Sequence, residues 1–223
     1  MLLLATDTSG KNGSIALVQC EGKACTILEV VPLAGGTFSA QLIPQIAALL
    51  QKHGFTKLDI GAFAVVSGPG SFTGLRVGLA AIKALAEVLQ KPIAVVSLLE
   101  AVALASKSQG NIAAALDAGR NEIYLGEYTI RNSIAQLQRE WLGTREQCLE
   151  AAARMPLVTP DSNLAEVAQS RGFQVERIPH PQSDAIARIG WRKIQSGETV
   201  EPQDLDANYI RRSDAEIFSG RNS

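Results

Sequence analysis

Leu4-Ala5-Thr6-Asp7 and, about 110 residues later, Ala114-Ala115-Leu116-Asp117 are the two stretches on which the fold turns. Each ends an apolar run in an aspartate. Each is followed by turn chemistry and a second apolar run: Ser9-Gly10-Lys11-Asn12-Gly13 leads into residues 14–20, and Asp117-Ala118-Gly119-Arg120-Asn121 leads into residues 122–130. Aspartate suits turns on its own account, so the match gains meaning only from what surrounds it. Working outward, alternation and short aliphatic runs predict strands at 2–6, 14–20 and 26–33, with Glu21-Gly22-Lys23 as the turn between the last two. A helix follows over 39–53, with Ser39 as its N-cap and Pro44 expected in the first turn or at a kink. Then come a strand at 61–66, a long helix at 74–90 stopped by Pro92, a strand at 93–96, and a helix to about 106 opened by a Ser97/Glu100 capping box.

The second half repeats that order. Strands at 112–116, 122–130 and 134–142 precede a helix opened by a Thr144/Gln147 capping box and running to about 154. A strand at 157–159, a helix at 163–171, a strand at 173–178 and a helix at 183–195 complete it. Both halves read βββαβαβα. This is the layout of the actin, hexokinase and acetate-kinase superfamily, so an α/β protein with a duplicated actin-like (ribonuclease H-like, ASKHA) fold in two lobes is expected. The expected domains are 1–108 and 109–223, with 200–223 as an extended tail packing back.

Composition bounds the function. The 223 residues are 46% hydrophobic, 19% charged and only 5% aromatic, which describes a globular chain with an aliphatic core. With 21 basic against 22 acidic side chains the formal net charge is −1, which argues against a broad nucleic-acid footprint. Cys20, Cys25 and Cys148 include no CxxC pair, and His53 and His180 stand alone, so neither a structural zinc site nor a disulfide framework is expected. The apolar start has no basic flank and is interrupted by Asp7, and no apolar run reaches the roughly 18 residues of a membrane span. No membrane partner and a cytoplasmic location are expected.

The segment Ser67-Gly68-Pro69-Gly70-Ser71-Phe72-Thr73-Gly74-Leu75-Arg76 follows a strand and opens a helix. Amides at a helix start can hold an anion. The same sequence also describes a tight strand-to-helix turn capped by Ser71 or Thr73. It is no Walker A loop, because the Lys-Ser/Thr pair is absent. In the superfamily a nucleotide is gripped from both halves, which makes Asp7, Thr8, Ser9, Gly68, Gly70, Ser71, Thr73, Gly74 and Asp117 candidates for an anion loop. The matching second-half turns, at 159–163 and 179–183, carry prolines and no glycine. A close backbone approach to phosphate is poorly served there. The loop thus reads as vestigial, with no cofactor, no metal and no catalytic residue expected. The competing expectation is a small kinase or ATPase using Asp7, Asp117 and the loop. No Ser-His-Asp or Cys-His arrangement is present.

Two helices carry more apolar surface than one sheet face requires. In 74–90, Arg76, Lys83, Glu87 and Gln90 make one narrow polar stripe, whereas an ordinary covering helix has an apolar stripe of about 100°. In 39–53, Leu42, Ile46 and Leu49 form one seam and Ile43, Ala47 and Leu50 a second. Either the helices cover each other or a partner covers them. The candidate interface is Leu42, Ile43, Ile46, Leu49, Leu50, Leu75, Leu79, Ile82 and Leu85, with a charge at Ile82 expected to abolish pairing and spare the fold.

Residues 4–9, residues 68–78, Val96-Ser97-Leu98-Leu99-Glu100-Ala101, residues 115–124 and Asn208-Tyr209-Ile210-Arg211-Arg212 together resemble the TsaB family of the bacterial tRNA threonylcarbamoyladenosine (t6A) system. The resemblance is dense to about residue 128 and thin from 130 to 200. It implies a non-catalytic paralogue of TsaD, the subunit that transfers threonylcarbamoyl to adenosine 37 of ANN-decoding tRNAs. It also implies pairing with a TsaD-like subunit through first-half helices, here 39–53 and 74–90, and docking of a TsaE-like ATPase on that pair. A homodimer through the same helices and only indirect contact with tRNA are implied as well. TsaD-type metal ligands are histidines in the first-half helix region. None matches here, and Phe38 stands where family members often carry a histidine. Direct tRNA binding would rest on Arg211, Arg212 and Arg221. An older glycopeptidase label for the family finds no nucleophile pair in this chain.

Overall fold

Tight turns set the hairpins from which two sheets grow. Strands β1 (Leu2–Asp7), β2 (Asn12–Glu21) and β3 (Ala24–Ala34) open the chain, and β6 (Gly110–Gly119), β7 (Glu122–Arg131) and β8 (Ile134–Thr144) open its second half. The two-residue links Arg120-Asn121 and Asn132-Ser133 have φ of 54° and 62°, and 50° and 61°. Paired left-handed residues of this kind match the right-handed twist of the strands they join. The computed structural model describes residues 1–208 and 210.

The remaining elements are α1 (Phe38–Lys52), β4 (Ile60–Gly68), α2 (Phe72–Leu89), β5 (Ile93–Ser97), α3 (Leu98–Leu104), α4 (Arg145–Ala152), β9 (Leu157–Thr159), α5 (Ser162–Ser170), β10 (Val175–Arg177) and α6 (Ser183–Ser196). The first sheet runs β3-β2-β1-β4-β5 and the second β8-β7-β6-β9-β10. In each, the first three strands are antiparallel and the last two join in parallel. The expected βββαβαβα duplication is therefore present, and the fold is the two-lobed, actin-like α/β arrangement.

Two compact units form, Met1–Ser97 with Pro181–Asn208, and Leu98–His180. In the first, β1 and β4 are buried at nearly every position, so each sheet face is covered. The helices touching β4 are α2 and α6. Gly190 of α6 lies so close to Ala64 and Ala94 that a Cβ there would meet the Ala64 methyl at 2.4 Å. By strand alternation, α6 covers the Ala64 face and α2 the Phe63/Val65 face, with α1 beside α2 and over β2 and β3. In the second unit, α4 and α5 pack with Ala113, Ala115, Ile123 and Leu125 into one cluster. There α3 lies on β6–β9, with Leu99 close to Gly126.

The units differ from the expected 1–108 and 109–223. The sheets divide along that line, but α3 sits with the second sheet and α6 with the first. Helical periodicity states how wide a buried stripe is and not which sheet it meets. Residues 200–208 belong to the first unit: Val200 bridges Ile93, Lys83 donates to the Gln203 carbonyl and the Asn208 amide donates to the Ser67 carbonyl. Arg211, Arg212, Arg221 and the rest of the expected tail beyond 210 lie outside the described residues.

Local expectations fare unevenly. The Thr144/Gln147 capping box forms in full. Ser71 caps α2, its hydroxyl accepting from the Gly74 amide. Ser39 does not cap α1. The helix starts one residue earlier from Thr37, whose hydroxyl donates to the Ala34 carbonyl and accepts from the Gln41 side chain. Pro44 falls in the second turn rather than the first, at an exposed position. There it leaves the Ala40 carbonyl without its usual helical donor. The absence of a disulfide framework also needs qualifying, since Cys20 and Cys25 face each other across β2 and β3 and are bonded. No helix among the described residues is long and apolar enough to cross a membrane.

Candidate functional site

The glycine segment packs against the β1–β2 turn. Asp7 is buried at the end of β1, and its carboxylate accepts from the Ser9 amide (2.8 Å) and the Ser9 hydroxyl (2.6 Å). The Thr8 hydroxyl donates to the Gly74 carbonyl at 2.8 Å, and the Ser71 amide donates to the Ser9 carbonyl at 2.6 Å. The glycines permit this closeness. A Cβ on Gly70 would meet the Ser9 carbonyl oxygen at 2.4 Å, and one on Gly74 the Thr8 carbonyl oxygen at 2.1 Å. Gly68 has φ of 137°, open only to glycine. Thr73 is exposed.

These bonds take up two of the amides at the start of α2. An anion at the start of α2 needs free amides, yet the Ser71 amide is held by Ser9 and the Gly74 amide by the Ser71 hydroxyl. Phe38 packs against the same turn. Its buried ring lies against Gly13 and Gly74, where a Cβ would come within 2.9 Å and 3.5 Å of it. A hydrocarbon ring thus fills the place where the family resemblance implies a histidine. Among the described residues no three His, Cys, Asp or Glu side chains cluster as metal ligands would.

Asp117 lies in the second unit, where its polar groups are also bonded within the chain. The Asp117 amide donates to the Asp161 carboxylate at 2.8 Å, and the Asp117 carboxylate accepts from the Gly119 amide at 2.8 Å. Asp161 stands at the start of α5 in the glycine-free turn. An anionic side chain already occupies that amide, so an incoming phosphate meets like charge. Asp161 was not among the candidate residues, and only its place in a proline turn beside α5 hinted at it.

The end of α1 is pinned by charge. Glu29 on β3 accepts from Lys52 at 2.7 Å and bonds the His53 ring at 2.8 Å. The Lys52 hydrogen bond first, and the His53 bond second, hold the Glu29 carboxyl below its ordinary range. A carboxyl depressed in the fold stabilises it above the unfolded pKa and loses that contribution as pH falls through the folded value. Glu29→Gln should therefore lower the urea midpoint slightly at pH 7, and the gap to the parent should vanish in acid. Urea titrations at pH 7 and pH 3 measure it, and an equal gap at both contradicts the clamp.

The candidate interface helices divide by side-chain size. Leu42, Ile46, Leu49, Leu50, Leu75, Leu79 and Ile82 are buried in the first unit's core. Leu85 is half-buried, and Ile43 is 47% exposed. A charge at Ile82 does not meet the expectation of sparing the fold: Ile82 is fully buried, so a carboxylate there is expected to unfold the unit. What faces outward is smaller. On α1, Ala40, Ile43, Pro44 and Ala47 are exposed at helical spacing; on α2, Ala80, Ala84 and Val88 are exposed, with Val77, Ala81 and Leu85 half-buried beside them. Val88 is 73% exposed. Since α1 and α2 pack on each other and still show these stripes, mutual cover does not consume the apolar excess. The i, i+4, i+8 spacing of Ala80, Ala84 and Val88 was the signal that would have found them.

The chain is similar to known proteins over most of its length. The family model described as TsaD, tRNA N6-adenosine threonylcarbamoyltransferase, matches residues 30–186. The tRNA threonylcarbamoyladenosine biosynthesis protein TsaB of Bacillus subtilis (strain 168) is 28% identical over 97% of this chain and 96% of its own length. The TsaB of Haemophilus influenzae is 31% identical over 78% of this chain and 71% of its own length. A crystal structure from Pseudomonas aeruginosa, of an uncharacterized protein with similarity to peptidase YEAZ, is 27% identical with a TM-score of 0.76, covering 94% of this chain and 99% of that one. With the TsaD model spanning most of its length and TsaB proteins aligned across both halves, the chain belongs to the TsaB family of tRNA threonylcarbamoyladenosine biosynthesis proteins.

Proposed function

We propose that the chain serves t6A biosynthesis as a non-catalytic subunit that pairs with a TsaD-like catalytic protein through α1 and α2. The observation that carries this reading is the double stripe of exposed apolar side chains on those helices, wider than one sheet requires. The TsaB relatives supply the pathway, and the match to the TsaD model supplies a partner of like fold. Small side chains let helices approach closely, so two such pairs fit together as a compact apolar bundle. A TsaE-like ATPase docks on the assembled pair. A second copy of the chain takes the same face when the catalytic subunit is absent. tRNA, in the cytoplasm, is gripped by the partner, consistent with this chain's near-neutral charge.

The kinase or ATPase alternative is weakened by the internally bonded amides at both aspartates. Reconstitution separates the two. With catalytic subunit, ATPase, activated threonylcarbamoyl donor and tRNA, omission of this chain should abolish t6A formation, and Asp117→Asn should leave it at the parental rate. Micromolar binding of Mg-ATP by the isolated chain, lost in Asp117→Asn, supports the enzyme instead.

A further inference from the structure

The disulfide has no part in the proposed role. Its position follows from the backbone. The Cys20 amide donates to the Met1 carbonyl at 2.8 Å, and the Cys20 carbonyl accepts from the Met1 nitrogen at 2.6 Å. Both polar groups of Cys20 therefore point toward Met1 and away from β3. That makes Cys20–Cys25 a non-hydrogen-bonded pair of the antiparallel ladder, the kind in which side chains approach most closely. Their Cα atoms stand 4.2 Å apart. Ladder pairs lie on both sides, Gln19 with Thr26 and Glu21 with Ala24, so the register does not depend on the sulfur bond. The tip beyond the pair is gripped by α6, where the Trp191 indole donates to the Gly22 carbonyl at 3.0 Å and the Gln195 side-chain amide donates to the same oxygen.

We propose that Cys20 and Cys25 form a reversible dithiol–disulfide site whose redox state sets how firmly the β2–β3 tip holds the end of α6. Access is asymmetric: Cys20 is 1% exposed and Cys25 is half-buried. In reduction, the thiolate of a small cellular thiol such as glutathione attacks the Cys25 sulfur. The protein disulfide breaks, and Cys20 leaves as a thiolate that takes up a proton. A second glutathione thiolate attacks the glutathione sulfur of the mixed disulfide, forming glutathione disulfide and releasing Cys25, which is protonated in turn. The protein gains two electrons and two protons, and two glutathione molecules are oxidised to one disulfide. Glutathione disulfide is the oxidant for the reverse course. Because the ladder survives either way, both states share the fold, and reduction leaves only the tip freer to open. Cys148 takes no part, since burial pushes its thiol up to about 12.

The test is intact-mass and amide-exchange measurement on the full chain in glutathione disulfide and in dithiothreitol. The oxidised form should be lighter by two hydrogens, with the bond mapped to Cys20 and Cys25. Exchange at 21–25 and at 191–196 should rise about threefold or more on reduction, as local opening of a released tip requires. Cys25→Ser and Cys25→Ala should match the reduced parent at 21–24 and 191–196 in both buffers. Two free thiols persisting in glutathione disulfide, a stable glutathione adduct without closure, or unchanged exchange at 191–196 would overturn the proposal.

Discussion

Replacing Ala84 by Glu is expected to abolish co-elution of this chain with its TsaD-like partner while leaving its own thermal unfolding unchanged. Ala84 lies between Ala80 and Val88 on the outer stripe of α2 and is exposed in the isolated chain. Glutamate is a good helix former, so an exposed substitution shifts stability by no more than about 0.5 kcal/mol. In an apolar bundle, however, its carboxylate is left buried without a partner, at a cost of about 3–5 kcal/mol. That weakens association roughly 100-fold or more. Ile43→Glu on α1 should act alike. Ile82→Glu is the contrast, because it should remove the folded unit altogether. Gel filtration with the catalytic subunit, beside calorimetry of each variant, reads all three. Parental co-elution of both Ala84→Glu and Ile43→Glu contradicts the assigned face.

Gly74→Ala is expected to be the most destabilising single methyl in the loop. The new Cβ would stand 2.1 Å from the Thr8 carbonyl oxygen, a backbone atom that cannot swing aside. Relief requires α2 to move off the β1–β2 turn, breaking the Thr8 bond to the Gly74 carbonyl. Overpacking of this severity costs about 3 kcal/mol. For a chain of this size that is a fall in Tm of roughly 6–12 °C. Thr73→Ala, one residue away and exposed, should change Tm by less than about 2 °C. Differential scanning calorimetry on both variants reads the difference, and parental Tm for Gly74→Ala contradicts the packing account.

The order of elements was legible because its signals are local. Aliphatic runs, the Thr144/Gln147 box and the turn residues each act within a few positions. What was hidden depends on contacts distant in sequence. Nothing within residues 67–76 tells that the Ser71 amide goes to Ser9 or that Gly74 abuts Thr8, so the sequence alone leaves the loop two readings. The largest apolar residues of α1 and α2 are the natural candidates for a partner face, but the core takes those first. The outer stripes are left with alanine, Ile43 and Val88. Pairing of Cys20 with Cys25 was implicit in the turn at 21–23, which sets them opposite one another. Assignment of α3 and α6 to the other half's sheet left no trace in periodicity, because a helix stripe carries no address.

The central claim is that α1 and α2 are covered by the catalytic partner. Amide exchange compared between the isolated chain and its complex with the TsaD-like subunit tests it most directly. Protection should rise over residues 38–52 and 72–89 and stay unchanged over β7 and β8. Protection gained elsewhere, with α1 and α2 exchanging as in the free chain, would contradict the account.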